Sequence, residues 1–458
     1  MNLPDDPVVV IGGGIAGLAA AYQLHRDGMP CRLLEADERV GGKIRTSEFA
    51  GRLVDEAADA FLARVPHGIE LARELGLADQ LIAPTARKAQ VWTASGLRRL
   101  PEPNVLGIPL DPQAAEALLG AEAAAAIAGD LARTEPDPVR DDDTIGTLVR
   151  RRLGDRVHEA LVDPLIGAIN AGDTDLLDLA ASSPQILGAA QTGPSLVGAF
   201  QRQAAARRSD APVFHSFATG MSTLVEALEH RLDDVVTTSV TVSGIDRLPD
   251  GTLRIDLADR DPIAASGIVL AVPAPVASVL VAPWSVSAQM LASIPMVSVT
   301  LLTLAFPRGT VGQSEDLSGF VVPRSDPALG ITACSYATQK WEHLAGDVEL
   351  LRVSVGHTGD QATPHLEDGA LLDLVRNDLE TALGIDTAPL DHRISRWPRA
   401  FPQYLRGHLD RLAMVEGELN PDGVFLAGMS YRGIGIPANI DAGRTAAVSA
   451  ILHVLDED

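Results

Sequence analysis

A strand, a glycine turn and a helix follow one another near the start of the chain, in the sequence VVVIGGGIAGLAAAYQLHRDGMPCRLLE from Val8 to Glu35. Gly12, Gly14 and Gly17 form the pattern G-x-G-x-x-G between an apolar run and an apolar helix. The first glycine permits a tight turn, the second lets a pyrophosphate approach the backbone, and the third lets the helix pack on the strand. The arrangement predicts a Rossmann-like unit of an α/β fold.

Glu35 ends the next strand, CRLLE, about 20 residues beyond the turn. A carboxylate at this place can accept hydrogen bonds from an adenosine ribose, and its charge disfavours a 2′-phosphate. A glycine turn without a ligand is the alternative reading. Because strand, helix and acid all occur together, we favour a dinucleotide site.

Length, charge and cysteine content limit the number of domains and the kinds of ligand that can be expected. At 458 residues the chain exceeds one ordinary core, which predicts about two or three domains. Its formal net charge of −24 argues against binding to nucleic acid and against binding to an acidic membrane surface through bulk charge. Cys31 and Cys334 form no C-x-x-C pair, so neither a disulfide framework nor a zinc site is expected. The histidines show no metal-ligand spacing either.

The sequence has no pattern typical of a signal peptide or a membrane span. The first apolar run, Val8 to Ile11, breaks into glycines, and no window reaches the roughly 18 to 20 apolar residues of a span. We therefore expect a cytoplasmic protein. Peripheral contact with a membrane stays open.

Patterning along the chain predicts three parts. Helical periodicity fills the middle, and segments rich in strands lie on either side of it. We predict a discontinuous nucleotide-binding domain at 1–60, 215–285 and 396–458. A mixed-sheet substrate domain is expected at 61–111, 192–214 and 286–395, and a helical insertion at 112–191.

The segment after Glu35, EADERVGGKIRTSEFAGRLVDEAADAFL, resembles an extension found in the flavin amine-oxidase superfamily. There a basic residue, two glycines and another basic residue follow the ribose acid; here they are Arg39, Gly41, Gly42 and Lys43. Two more glycines allow a tight turn beside a diphosphate, and the cations can neutralise it. This resemblance favours FAD over NAD, with an ordinary solvated basic loop as the alternative.

The C-terminal run GVFLAGMSYRGIGIPANIDAGRTAAVSAILHVL predicts a strand, a glycine loop and a long helix. Such a helix start, directed at a flavin ring, would place a partial positive charge where reduction creates an anion. Pro437 as an ordinary helix starter is the simpler account, and the two are compatible.

Over nearly its whole length the chain resembles the protoporphyrinogen oxidase family of FAD enzymes, most closely its bacterial coproporphyrinogen III oxidase branch. The first and last of the matching segments are common to the superfamily, whereas INAGDTDLLDLAAS and RWPRAFPQY are much narrower. The segments are GGGIAGLAAAY, VGGKIRT, FLARVP, DPLIGAINAGDTDLLDLAAS, FATGMSTLVEALEHRL, VLAVPAPV, RWPRAFPQYLRGHL and AGMSYRGIGIPANI.

The resemblance implies a set of FAD contacts. One departure stands out, because the family usually has Gly-Pro-Asp-Ser where this chain has Ala57 to Ala60, which removes a serine hydroxyl. Val240 would act through its backbone, and a plain core valine is the alternative; Trp397 could equally be a core aromatic. The implied contacts are Gly12, Gly13, Gly14, Ile15, Ala16, Gly17, Glu35, Ala36, Gly42, Lys43, Ala57, Ala58, Asp59, Ala60, Val240, Trp397, Gly435, Ile436 and Pro437.

The resemblance also implies an oxygen-dependent oxidation of a porphyrinogen in haem biosynthesis. A meso carbon would give a hydride to the flavin, a pyrrole N–H would lose a proton, and oxygen would reoxidise the flavin with release of hydrogen peroxide. Because the chemistry belongs to the flavin, we expect no catalytic side chain. The resemblance further implies transient contact with other enzymes of the haem pathway.

Cations that could hold the substrate's propionates are concentrated near the N-terminus. Between positions 39 and 99 the chain holds ten Lys and Arg against seven Asp and Glu. Any of them could also be an ordinary surface charge. The candidates are Arg64, His67, Lys88, Arg98 and Arg99, with Ile169 as the apolar wall over the ring.

Three alternatives to coproporphyrinogen oxidation stay open. The chain could oxidise protoporphyrinogen IX. It could be another oxidase or desaturase of the superfamily, although amine oxidases often enclose their flavin in an aromatic cage and this chain has only four Trp and four Tyr. It could also be a non-catalytic binding protein of the same fold, against which the full set of flavin motifs argues.

Overall fold

The computed structural model describes residues 6–206, 212–249, 251–283, 285–312, 316–326, 328–360 and 362–456. Its strands lie at Val8–Ile11 (β1), Cys31–Leu34 (β2), Thr46–Phe49 (β3), Arg52–Asp55 (β4), Phe61–Leu62 (β5), Leu81–Ile82 (β6), Lys88–Thr93 (β7), Gly96–Arg99 (β8), Asn104–Val105 (β9), Ile108–Pro109 (β10), Phe214–Phe217 (β11), Val236–Thr237 (β12), Val242–Arg247 (β13), Leu253–Leu257 (β14), Ile263–Ala265 (β15), Gly267–Leu270 (β16), Met296–Pro307 (β17), Leu317–Val321 (β18), Ile331–Tyr336 (β19), Val348–Val355 (β20), Asp391–Pro402 (β21) and Val424–Leu426 (β22).

The helices alternate with these strands and are concentrated in the middle of the chain. They lie at Ile15–Arg26 (α1), Pro66–Glu74 (α2), Pro112–Leu119 (α3), Ala121–Leu131 (α4), Ile145–Leu153 (α5), Asp155–Val157 (α6), Asp163–Asn170 (α7), Leu179–Ser182 (α8), Pro184–Gln191 (α9), Leu196–Ala205 (α10), Ser222–Arg231 (α11), Ala274–Val281 (α12), Ala288–Ala292 (α13), Ala337–Lys340 (α14), Asp368–Leu383 (α15), His408–Leu419 (α16) and Ile436–Asp456 (α17). In the ranges described, no helix combines the length and apolar character needed to cross a bilayer.

A five-stranded parallel sheet, in the order β12-β2-β1-β16-β22, forms the nucleotide-binding part. The carboxyl ends of its strands meet at one edge, where ligands of open α/β sheets bind. Gly12 follows β1, Glu35 follows β2 and Ala271 follows β16 at this edge. The predicted Rossmann-like α/β fold is confirmed.

Two glycines allow helices to approach the turn and each other at backbone distance. A Cβ on Gly17 would lie 1.9 Å from the carbonyl oxygen of Gly12, so α1 rests directly on the turn. A Cβ on Gly443 would lie 2.0 Å from the carbonyl oxygen of Ala16, so α17 rests directly on α1. Gly12 itself has φ +104°, a conformation that favours glycine.

A second sheet of seven strands, in the order β21-β17-β20-β19-β18-β7-β8, is antiparallel except between β18 and β7. Leu371, Val375 and Leu379 of α15 share a core with this sheet. Val297 pairs with Phe401 and Val299 with Trp397, so the chain bulges between the two pairs in β21. This is the mixed sheet that the sequence predicts.

Helices α3 to α10 share a third core, which Val91 and Val321 of the seven-stranded sheet join. Leu196 and Phe200 of α10 also belong to it, although α10 lies outside the range 112–191 expected for the insertion. The domain ranges stay a prediction, and parts of them, such as 1–5 and 207–211, lie outside the described residues.

A largely buried carboxylate ties the segment after β4 to the seven-stranded sheet. Asp59 pairs with Lys340 Nζ at 2.9 Å and with Arg352 Nη1 at 3.1 Å, and Trp341 Nε1 donates to it at 2.9 Å. Burial alone would raise the pKa of Asp59, but the two cations outweigh it and hold that pKa well below its usual range. Arg352 also donates to the carbonyl oxygen of Ala57. The seven-stranded sheet thus holds residues 57–59 in place.

Asp55, close to this junction, has the opposite electrostatic environment. Its Oδ1 accepts hydrogen bonds from Thr46 Oγ1 at 2.5 Å and from the Met221 N–H at 2.9 Å. Burial nevertheless raises the pKa of Asp55 to about 6, since these bonds and Arg352 offset only part of the desolvation. A carboxyl with a raised pKa binds more protons in the folded than in the unfolded state, so stability falls as pH rises between about 4 and 6.

We predict that Asp55→Asn reduces the pH dependence of stability in this window. From its pKa shift, the carboxyl should contribute about 1.4 kcal/mol more to the free energy of unfolding at pH 5 than at pH 7.5. Urea unfolding of both proteins at the two pH values, with saturating FAD, measures this difference. The same pH dependence in variant and parent would contradict the assignment.

Candidate functional site

One cavity of about 780 Å³ opens at the carboxyl edge of the parallel sheet and reaches the seven-stranded sheet. Many residues that the family resemblance implied as FAD contacts line it, although they come from distant parts of the chain. These are Gly12, Gly14, Ile15, Ala16, Glu35, Ala36, Gly42, Lys43, Ala57, Ala58, Val240, Trp397 and Ile436.

The three glycines of the turn have different surroundings. At Gly12 and Gly17 an added Cβ would collide with backbone carbonyl oxygens, of Ala271 and of Gly12 respectively. At Gly14 a Cβ would meet no protein atom within 4 Å, and Gly14 lines the cavity. Gly12 and Gly17 are therefore required by the packing of the fold, whereas Gly14 leaves open a space in the cavity that a side chain would fill.

Glu35 is held against the glycine turn. Its Oε2 accepts the Gly13 N–H at 2.5 Å and its Oε1 accepts the Asp37 N–H at 2.8 Å, which fixes the carboxylate at the cavity wall. The Val240 N–H donates to the Glu35 carbonyl oxygen at 2.9 Å. Val240 thus lines the cavity while its side chain packs in a core, so the two readings of this residue are compatible.

The two cations after the turn differ in what they contact. Arg39 donates to three backbone carbonyl oxygens, those of Gly42 at 2.7 Å, Val40 at 3.0 Å and Ile44 at 3.3 Å, and so braces the second glycine turn. Lys43 lines the cavity and has no ion-pair or hydrogen-bond partner among the described residues. Burial lowers its pKa. An unpaired, half-buried cation beside an open glycine suits a diphosphate.

Residues 57–60 divide between the cavity and the junction. Ala57 and Ala58 line the cavity, whereas Asp59 is turned toward Lys340 and Arg352. Ala60 packs in an apolar cluster with its neighbours. FAD contacts at Asp59 and Ala60 stay a prediction.

Two aromatic residues of β21 form the wall at the far end of the cavity. Trp397 Nε1 donates to the Glu56 carbonyl oxygen at 3.0 Å, which fixes the ring beside residues 57 and 58. Phe401 lies beyond the bulge and lines the same cavity, as do Val299 and Leu301 of the neighbouring strand β17. This end of the cavity is largely apolar.

Buried tyrosines hold the loop that precedes α17. Tyr404 donates to the Met429 carbonyl oxygen and accepts the Gly433 N–H at 2.9 Å, and Tyr431 donates to the Val272 carbonyl oxygen at 3.0 Å. Asn439 donates to the Gly435 carbonyl oxygen at 2.8 Å. These bonds fix the start of α17 at the cavity. Ile436 lines the cavity; the flanking Gly435 and Pro437, like Gly13 and Gly17, are not among the described lining residues.

The predicted substrate contacts lie elsewhere. Arg64 donates to Gln185, Lys88 pairs with Asp316 at 2.7 Å, and His67 lies between Glu70 and Asp441. Ile169 is 49% exposed. The described lining of the two cavities includes none of the four, and their role stays a prediction.

A second cavity of about 250 Å³ adjoins the first, and both are lined by Ala168, Ala171 and Thr332. Arg324 lies in its wall, paired with Asp173 at 2.9 Å and Asp163 at 3.7 Å. Sequence reasoning assigned no role to Arg324, Thr332 or Phe401, although Phe401 lies within the matching segment RWPRAFPQY. The seven-stranded sheet brings Thr332 and Phe401 to the cavities, and Arg324 follows its strand β18.

Known proteins resemble this chain over nearly its whole length. The family model described as flavin containing amine oxidoreductase matches residues 15–451. The coproporphyrinogen III oxidase of Bacillus subtilis is 32% identical over 98% of this chain and 98% of that protein. The coproporphyrinogen III oxidase of Mycobacterium tuberculosis strain H37Rv is 34% identical over 98% of this chain and 97% of that protein.

A solved structure from an Exiguobacterium species, assigned as a protoporphyrinogen oxidase, superposes with a TM-score of 0.86. It is 32% identical, and the match covers 98% of this chain and all of that one, 100%. The expected resemblance is confirmed, and Gly14, the unpaired Lys43 and the carboxylate of Glu35 fit the expected cofactor. The chain belongs to the flavin-containing amine oxidoreductase family, and its cofactor is FAD.

Proposed function

We propose that this chain oxidises coproporphyrinogen III to coproporphyrin III in haem biosynthesis, with oxygen as the electron acceptor and hydrogen peroxide as the second product. The names of two relatives that align over nearly the whole chain support the substrate. Bound FAD supplies a two-electron acceptor that can be used repeatedly. The proposal includes a cytoplasmic location and transient contact with other enzymes of the pathway.

The observation that carries this proposal is the continuity of one cavity. It begins at Gly14 and Glu35, where the cofactor's nucleotide belongs, and ends at the apolar wall of Trp397, Phe401 and Leu301. A porphyrinogen is a large, mainly apolar ring, and such a wall can present it to the flavin while excluding water.

We assign the cofactor contacts from this geometry. Glu35 accepts hydrogen bonds from the ribose, Gly14 leaves room for the diphosphate and Lys43 neutralises it. The backbone at residues 57–58 and the start of α17 at Ile436 lie beside the ring. The other contacts implied by the family resemblance remain part of the proposal.

The substrate contacts at Arg64, His67, Lys88 and Ile169 also remain part of the proposal. Arg64, His67 and Lys88 each already have an amide or acidic partner in the structure. A propionate must therefore displace or share that partner. Exchange of this kind at exposed side chains costs little, since exposed ion pairs contribute about 0 to 1 kcal/mol.

We predict that kcat/KM for coproporphyrinogen III exceeds that for protoporphyrinogen IX by at least about tenfold, which requires only ~1.4 kcal/mol. Coproporphyrinogen has four propionates and protoporphyrinogen two, so extra charge-assisted contacts favour the former. Anaerobically prepared substrates, mixed with enzyme and oxygen and followed by porphyrin fluorescence and peroxide release, measure the ratio. Equal rates, or faster protoporphyrinogen turnover, would overturn the substrate assignment and leave the flavin oxidase intact.

We predict that Gly14→Val yields a folded protein without flavin. The structure leaves space for the side chain but only in the cradle expected to hold the diphosphate. Gly129→Val on α4 is the matched control, because a Cβ there also meets nothing within 4 Å and Gly129 is not among the described lining residues of the cavity. The ratio of flavin to protein absorbance after purification decides, with thermal unfolding as the test of folding. A yellow, folded Gly14→Val protein would exclude the proposed cradle.

We predict that Glu35→Ala weakens FAD binding by about 1.5 to 3 kcal/mol, because a charged acceptor is lost from the ribose. Glu35→Gln is the control, since it keeps an acceptor oxygen and should lose less. Flavin release on dilution, followed by fluorescence, measures both dissociation constants. If the alanine variant binds FAD as tightly as its parent, Glu35 is not the ribose ligand.

A further inference from the structure

We infer that Thr332 and Ser354 form a hydroxyl pair that accepts hydrogen bonds from the pyrrole N–H groups of the reduced macrocycle. The two residues lie on the neighbouring strands β19 and β20, and both line the large cavity. Thr332 also lines the second cavity, so the pair lies where the two meet. This inference rests on the proposed function, because it names the part of the substrate that the site binds.

The hydrogen bonds of the pair leave it acceptor capacity. Thr332 Oγ1 lies 2.8 Å from Ser354 Oγ and 3.0 Å from the Ser354 carbonyl oxygen, and Ser354 Oγ lies 3.5 Å from the Ala333 carbonyl oxygen. A hydroxyl has one proton and two lone pairs. In the arrangement with the shorter contacts, Ser354 donates to Thr332 Oγ1 and Thr332 donates to the Ser354 carbonyl oxygen, so both protons find acceptors inside the sheet. The remaining lone pairs of the two hydroxyls therefore face the cavity, where they can accept hydrogen bonds from a ligand.

The surroundings of the pair restrict what that ligand can be. The wall beside it is formed by Val299, Leu301, Phe401 and Trp397, whose side chains are mainly apolar. In such a low-dielectric setting a hydrogen bond is strong and an unpaired polar group is costly. A ring that is apolar but has N–H donors at its centre satisfies both requirements.

The second cavity argues against carboxylates at this position. Asp163, Asp326 and Asp360 line it, and its Arg324 is already paired with Asp163 and Asp173. A propionate would meet acidic side chains there and oxygen lone pairs at Thr332. The ring's N–H groups, and not its acid side chains, are the donors that fit this junction.

This assignment predicts discrimination between substrate and product. A porphyrinogen has four pyrrole N–H groups, whereas the oxidised porphyrin has two and is planar. A pair that only accepts hydrogen bonds therefore favours the reduced ring and favours release of the product. Thr332 and Ser354 thereby act in binding and take no proton in the oxidation.

The test compares Thr332→Val, Ser354→Ala and the double variant with the control Ser335→Ala. Ser335 also lies on β19, but its hydroxyl donates to the Ser318 carbonyl oxygen and it is not among the described lining residues. Anaerobic flavin reduction at rising coproporphyrinogen concentration gives the apparent dissociation constant of the substrate. Quenching of porphyrin fluorescence gives that of coproporphyrin III, and flavin absorbance gives FAD occupancy.

We expect the double variant to bind the porphyrinogen about tenfold more weakly, the loss that two neutral hydrogen bonds imply. Its affinity for coproporphyrin III should change less than about threefold, with full FAD occupancy. Thr332→Ser, which keeps the hydroxyl, should retain the parent's affinity. If the double variant does not fold, the single variants give the same comparison between the loss of porphyrinogen affinity and the loss of porphyrin affinity.

Two results would overturn the inference, and they can be told apart from failure of the proposed function. Unchanged porphyrinogen affinity in the variants, or equal weakening for substrate and product, removes the role of the pair while the parent enzyme still turns over. If the parent itself oxidises no porphyrinogen, the proposed function fails and the inference fails with it.

Discussion

Backbone contact between two helices and one turn determines where the cavity of this protein can lie. A Cβ added at Gly17 would lie 1.9 Å from the Gly12 carbonyl oxygen, and one added at Gly443 would lie 2.0 Å from the Ala16 carbonyl oxygen. Both distances are much shorter than van der Waals contact. Because α17 lies directly on α1, the starts of both helices reach the same edge of the parallel sheet. Ile15 of α1 and Ile436 of α17 both line the cavity there, so each helix directs the positive end of its dipole toward it.

The contacts of Asp59 connect the seven-stranded sheet to the segment 57–59 at the cavity. Removing a carboxylate from water is costly unless it is paired and hydrogen-bonded, and the largely buried Asp59 contacts Lys340, Arg352 and the Trp341 ring N–H. Arg352 at the same time bonds the carbonyl oxygen of Ala57, which lines the cavity. The apolar wall of β17 and β21 is thus held at a defined distance from the backbone proposed to contact the flavin.

The parts of the site that are local in sequence could be predicted from it. Gly12, Gly14 and Glu35 belong to one strand-turn-helix-strand unit, whose geometry follows from the order of its residues. The propionate candidates were chosen by charge density alone, which says nothing about partners such as Asp316, the carboxylate opposite Lys88. Thr332, Ser354 and Phe401 could not be found in this way, since they reach the cavity only through strand register and a bulge.

The distribution of charge shows where discrimination between porphyrinogens must arise. In the interior, Arg39 is committed to backbone carbonyl oxygens and Arg324 to aspartates, and Lys43 lies beside the proposed diphosphate. The propionate contacts that we propose, at Arg64, His67 and Lys88, lie outside the described cavity lining, and an exposed ion pair contributes only about 0.2 to 1 kcal/mol. The tenfold preference that we predict corresponds to ~1.4 kcal/mol, so it requires at least two such contacts acting together. One exposed ion pair is too weak to produce it.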